Sequence, residues 1–152
     1  GVFKIVKSKI SKKDMFKDIK INIEGKEVQV KAMVDTGNML KEPISGKPVI
    51  VVEHTLLYDI LPKEILNNLE KILGGDIESL PDEIKNKYIS KLKFIPFSSL
   101  GKQNGMLIGI KPTYVEVMQE ENTKKEDVII GIYNKSFTKN GEYRALIGID
   151  LI

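Results

Sequence analysis

Asp35-Thr36-Gly37 is where residue types and spacing in this sequence most suggest chemistry. A carboxylate can give or take a proton. The short threonine hydroxyl can bond across a turn, and the glycine permits a tight bend and the close approach of another backbone. Val28, Val30, Ala32 and Val34 are alternating aliphatic positions that run straight into Asp35, which puts the carboxylate at the end of a buried strand. Taken locally, the tripeptide has two readings of equal weight. One is a catalytic turn; the other is an ordinary β-turn in which Asp35 bonds its own backbone.

Most other chemistries lack their residues. The 152-residue chain has no cysteine, which removes disulfides, thiol nucleophiles and cysteine-rich zinc sites. His54 is its one histidine, too few for a clustered zinc site. No Gly-x-Ser-x-Gly stretch supplies a nucleophile for it to serve, so it reads as a surface or helix-edge packing residue. Ser98-Ser99 has no evident base, and no phosphate-binding glycine motif occurs. Glu120-Glu121 and Glu126-Asp127 stand among lysines and read as solvated charge. No cofactor and no metal is expected.

The elements that must position Asp35 are mostly strands. Ile19, Ile21 and Ile23 alternate with polar residues, and Glu24-Gly25-Lys26 supplies a hairpin turn into the strand ending at Asp35. Residues 47–53 form a short apolar run, a buried strand. Ile65, Leu66, Leu69, Ile72 and Leu73 fall on one helical face, which predicts a single helix from Pro62 to Gly74-Gly75. Ser79 with Asp82 predicts a capped second helix through about Tyr88. Residues 93–100 and 106–110 flank Gly101-Lys102-Gln103-Asn104-Gly105, a hairpin signal with a flexible glycine-bounded tip. Residues 113–118 and 128–133 read as strands, 120–127 as a charged loop, Asn140-Gly141 as a turn, and 145–152 as a closing apolar segment. The class is mostly β with a helical stretch at about 55–90.

Net charge is +3, but residues 1–20 carry seven lysines against Asp14 and Asp18. A basic lead-in over 1–14 is either solvated chain or a surface for nucleic acid or an anionic membrane. No run reaches the roughly 18 apolar residues of a transmembrane helix, and no secretory signal is visible. The missing initiator methionine suggests a piece of a longer chain.

The order of elements resembles one subunit of the retroviral-type aspartic proteases: hairpin, Asp-Thr-Gly turn, glycine-containing hairpin, apolar strand and an Ile-Gly ending. Leu146-Ile147-Gly148-Ile149-Asp150-Leu151-Ile152 is similar to their terminal segment. Asn38 after the glycine, then Met39-Leu40-Lys41-Glu42-Pro43-Ile44-Ser45-Gly46-Lys47-Pro48-Val49, narrows the match. With Ile95-Pro96-Phe97-Ser98-Ser99-Leu100-Gly101, Gly105-Met106-Leu107 and Gly141-Glu142-Tyr143-Arg144-Ala145-Leu146, it resembles the sigma-E factor processing peptidases of spore-forming bacteria. The resemblance spans about residues 15–152.

That resemblance implies a retropepsin-like half-barrel over 15–152, one subunit of a two-fold homodimer, with an extra helical insertion at about 55–90. It implies an aspartic endopeptidase with Asp35 catalytic, Thr36, Gly37 and Asn38 in the active-site loop, and Ser98, Ser99, Leu100, Gly101 and Gly105 in a flap over the substrate. The implied task is removal of the pro-sequence from a sporulation sigma factor precursor, pro-sigma-E, together with a signalling protein made in the forespore. The implied place is the cytoplasmic face of the mother-cell membrane at the sporulation septum. Attachment would be through an N-terminal multi-span membrane domain absent from this sequence. Residues 1–14 would then be a juxtamembrane stretch, this piece itself soluble, and nucleic acid not a partner. The reading from a different class is a non-catalytic module of the same fold that dimerises or captures peptides. The intact Asp-Thr-Gly favours the enzyme.

Overall fold

The computed structural model describes residues 15–37, 40–99 and 103–152. The basic lead-in, Asn38, Leu100 and Gly101 lie outside the described residues. Strand dominates, as the alternation predicts. The strands are β1 (Phe16–Ile23), β2 (Lys26–Asp35), β3 (Val49–Glu53), β4 (Lys93–Ser99), β5 (Gln103–Ile110), β6 (Tyr114–Met118), β7 (Thr123–Lys125), β8 (Ile129–Tyr133) and β9 (Ala145–Gly148). They form one nine-stranded sheet in the order β4-β5-β8-β3-β9-β2-β1-β6-β7. The helices α1 (Lys63–Leu66), α2 (Leu69–Leu73) and α3 (Asp82–Tyr88) all fall between β3 and β4.

The β1–β2 hairpin turns where its sequence places the turn. Glu24 and Gly25 both have positive φ, 52° and 86°, which is the pairing that matches strand twist in a two-residue hairpin loop. Asn22 Oδ1 accepts the Gly25 N–H at 3.1 Å. Tyr114 on β6 donates to Glu27 at 2.7 Å, tying the hairpin to its neighbour strand.

Successive strand residues point to opposite faces, and here the two faces have different destinations. Ile50 and Val52 of β3, Ile130 and Ile132 of β8, Ala145 and Ile147 of β9, and Val30 and Ala32 of β2 enter the main core. The helical stretch covers them with Leu57, Ile65, Leu66, Leu69 and Ile72, all at most 5% exposed. Burial on this scale, at about 25 cal/mol per Å² of apolar surface, is what holds the short helices in place. The alternate residues Val49, Ile95, Leu107 and Ile129 form a second, smaller cluster on the opposite face.

Four local expectations need correction. The single helix from Pro62 to Gly74 is two, broken at Asn67 and Asn68. Asn68 leaves helical geometry (φ −126°, ψ 26°) and its side chain donates to the Glu64 carbonyl at 2.6 Å. Tyr58 donates to Asn67 Oδ1 at 2.6 Å. Asparagine side chains compete with the helix ladder in this way. Ser79 does not cap α3: Pro81 occupies the N-cap and no side chain bonds the helix start. The charged segment 120–127 contains the edge strand β7, paired to β6 through Val117 and Thr123. Gly105, expected to bound the hairpin tip, lies within a strand. It belongs to β5, directly opposite Phe97 of β4.

Candidate active site

Asp35 is the last residue of β2, half-buried, at the point where β2 runs parallel to β9. In that register Met33 faces Leu146, Val34 faces Ile147 and Asp35 faces Gly148. Val34 therefore points into the main core, and Asp35 points the other way, into a cavity of about 560 Å³. The sequence dictates this locally: apolar side chains at 30, 32 and 34 must be buried, and period two then expels residue 35 to the far face.

The turn beyond is tight. Gly37 N–H donates to Asp35 Oδ1 at 2.9 Å, and a Cβ at Gly37 would lie 3.4 Å from that same oxygen. The bond holds the carboxylate against its own turn. It is also the bond of an ordinary Asp turn, so by itself it does not separate the two readings of the tripeptide.

The cavity is built from residues of six neighbouring strands. Asp35 comes from β2, Leu146 and Gly148 from β9, Val49 and Val51 from β3, Tyr133 from β8, Leu107 from β5 and Phe97 from β4. Leu40, Phe137 and Asp150 complete it from connecting segments. The walls are chiefly apolar and aromatic, with carboxylates at one end, an arrangement suited to gripping apolar side chains beside a charged reacting group.

Of the residues expected from sequence, Asp35 and Ser98 line the cavity. Thr36 and Gly37 form the exposed turn beside it. Gly105 contributes indirectly, because the Phe97 ring lies over its backbone and no Cβ would fit. Ser99 ends β4, with its side chain outside the described residues, as are Asn38, Leu100 and Gly101. Sequence reasoning missed Tyr133, Phe137, Leu146 and Asp150. The continuous apolar runs of β3, β8 and β9 were a usable signal for the strand residues. Phe137 sits in an irregular connection with no period to betray it.

Comparison with known proteins decides the family. The family model described as sporulation factor SpoIIGA matches residues 1–151. The chain belongs to the SpoIIGA family. Family relatives include the sporulation sigma-E factor-processing peptidase of Priestia megaterium, 27% identical over 142 residues, covering 91% of this chain and 45% of the relative. The protein of the same name from Bacillus subtilis is 27% identical over 133 residues, covering 85% of this chain and 42% of the relative. A putative sporulation sigma factor-processing peptidase of Bacillus thuringiensis is 27% identical over 135 residues, covering 88% of this chain and 82% of the relative. The chain thus spans under half the length of the Priestia megaterium and Bacillus subtilis proteins. No solved structure matches it. Membership in this family, with the names its relatives carry, makes peptide hydrolysis the chemistry to test at Asp35. Among the described residues no helix is long and apolar enough to cross a membrane.

Proposed function

We propose that this chain is the catalytic domain of an aspartic endopeptidase that removes the pro-sequence of a sporulation sigma factor precursor, pro-sigma-E. The observation that carries the reading is Asp35 lining an apolar cavity, at the end of a core strand and beside Gly148. The names of the family relatives supply the substrate class.

Hydrolysis of a peptide bond by carboxylates needs one as base and one as acid. Two carboxyl groups about 3 Å apart cannot both ionise, so they share one proton. The sequence has a single Asp-Thr-Gly, and a two-fold homodimer supplies the second from the same position. One Asp35 draws the proton from a water, which attacks the carbonyl carbon. The partner's Asp35 protonates the leaving nitrogen as the C–N bond breaks. Thr36, Gly37 and Asn38 hold the loop, and residues 98–105 close over an extended peptide as an added strand. The domain reading follows: 15–152 as the protease unit, 1–14 as a basic stretch next to a membrane domain, acting at the mother-cell membrane under a forespore signalling protein.

The test is cleavage of the co-expressed precursor, wild type beside Asp35→Asn. The substitution is nearly isosteric, and the loss of activity should be at least about 10²-fold with an unchanged fold. Processing by a pure, folded Asp35→Asn protein would overturn the aspartic-protease reading of this domain.

A further inference from the structure

Glu53 ends β3 and His54 follows it, and the reaction above uses neither side chain. Glu53 is 3% exposed, and its Oε2 accepts the backbone N–H of Phe137 at 2.7 Å. His54 Nδ1 lies 3.2 Å from the Tyr133 carbonyl oxygen. A carbonyl can only accept, so this nitrogen carries the proton. Adjacent residues therefore grip both ends of the turn leaving β8. The Tyr133 and Phe137 rings stack with centroids 4.8 Å apart and planes 23° apart, and both line the cavity. Phe137 continues onto Tyr143 at 5.9 Å.

The segment between β8 and β9 has no helix or strand of its own. Its backbone depends on such anchors for a defined path. Burying a carboxylate is costly unless it is hydrogen-bonded, and at the end of a core strand an apolar residue would pack at less cost. The carboxylate makes sense as an anchor for Phe137.

We propose that Glu53, assisted by His54, is a positioning residue that holds the Tyr133–Phe137 stack as one wall of the substrate cavity. The pocket so formed takes an apolar or aromatic substrate side chain, and its grip depends on that hydrogen bond. This rests on the cavity at Asp35 being the substrate site.

The experiment measures kcat and KM of the full-length protein on the sigma factor precursor for four variants. Glu53→Leu and Phe137→Ala should each raise KM about tenfold or more while kcat changes less than about threefold, because a wall that is out of place weakens binding before it affects chemistry. Glu53→Gln keeps an oxygen for the Phe137 N–H and should recover most of that loss. A purely structural Glu53 would instead lower the folded fraction, and so kcat, with KM unchanged, which would overturn the proposal. If Glu53→Leu does not fold, Phe137→Ala carries the test: an unchanged KM there overturns it equally. Asp35→Asn separates the two levels. A dead Asp35→Asn beside unaltered KM in the other variants removes only the positioning role, whereas an active Asp35→Asn removes the site reading itself.

Discussion

Gly105 lies directly opposite Phe97 across β4 and β5, and the Phe97 ring covers the position where a Cβ would stand. The neighbouring faces repeat the device: a Cβ at Gly109 would meet Ile95 Cδ1 at 2.5 Å, and one at Gly131 would meet Val49 Cγ1 at 2.9 Å. Three glycines thus let large side chains pack down onto the sheet beneath the cavity. Gly105→Ala should force the Phe97 ring outward. The expected cost is about 1–3 kcal/mol, read as a lower denaturant midpoint, with reduced precursor cleavage. Undiminished stability would mean that the ring moves freely.

A site completed by two chains makes activity depend on concentration. Rate per chain should rise with protein concentration in the weak-dimer regime, and fusion to a dimeric coiled coil should raise cleavage by this chain in dilute solution. A forced mixed dimer with one Asp35→Ala subunit should be inactive, since one carboxylate cannot be both acid and base. Equal rates for the mixed and intact dimers would remove the shared-proton mechanism.

Asp150 offers a sharper check, because it lines the same cavity as Asp35 within one chain. If the second carboxylate comes from a partner, Asp150→Asn should lower kcat far less than Asp35→Asn does. Equal losses, together with a rate per chain independent of concentration, would mark an Asp35–Asp150 pair within a single chain.

One of two carboxylates held low should respond to salt and the other should not. Glu24 meets Lys87 at 3.0 Å and Lys91 at 3.4 Å. Hydrogen bonds from Lys87 and then Lys91 hold its carboxyl below the usual range, and Glu24 in turn raises Lys87. Glu42 is held low chiefly by the Ile44 N–H, with Ser45 adding to it. Its carboxylate accepts both of these N–H groups from its own turn. A depressed folded pKa contributes stability that is present above the unfolded value, about 4.3, and lost as pH falls through the folded one. The raised Lys87 contributes below its unfolded value and loses that contribution as pH rises through the folded one. Amide protection at Ile44 and Ser45 should therefore fall on acidification whatever the salt. The Glu24 contribution, exposed to solvent, should be small at pH 7 and should fade further at 1 M salt. A salt-dependent Ile44 amide would contradict this division.

Period-two alternation was enough to mark the β1–β2 hairpin, the strand around 114–118 and Asp35 as a carboxylate at a strand end, while short apolar runs marked the strands around 49–53 and 129–133. Alternation works where a strand buries one face, so that burial writes itself into every second residue; a strand covered on both faces, like β3 or β8, writes a continuous apolar run instead. Helix integrity was not legible: the apolar face of 65–73 is real, but the hydrogen bonds of Asn67 and Asn68 to Tyr58 and Glu64 break it. Nor was the place of Gly105, which depends on the register of β5 against β4. The parallel pairing of β2 with β9, which sets Gly148 and Asp150 beside Asp35, joins residues more than 100 positions apart. So does the grip of Glu53 on Phe137 across 84 positions. No local pattern encodes such contacts, since they are selected by how whole faces close against one another. The residues that could do chemistry were readable from the chain alone; the cavity that surrounds them came from the tertiary fold.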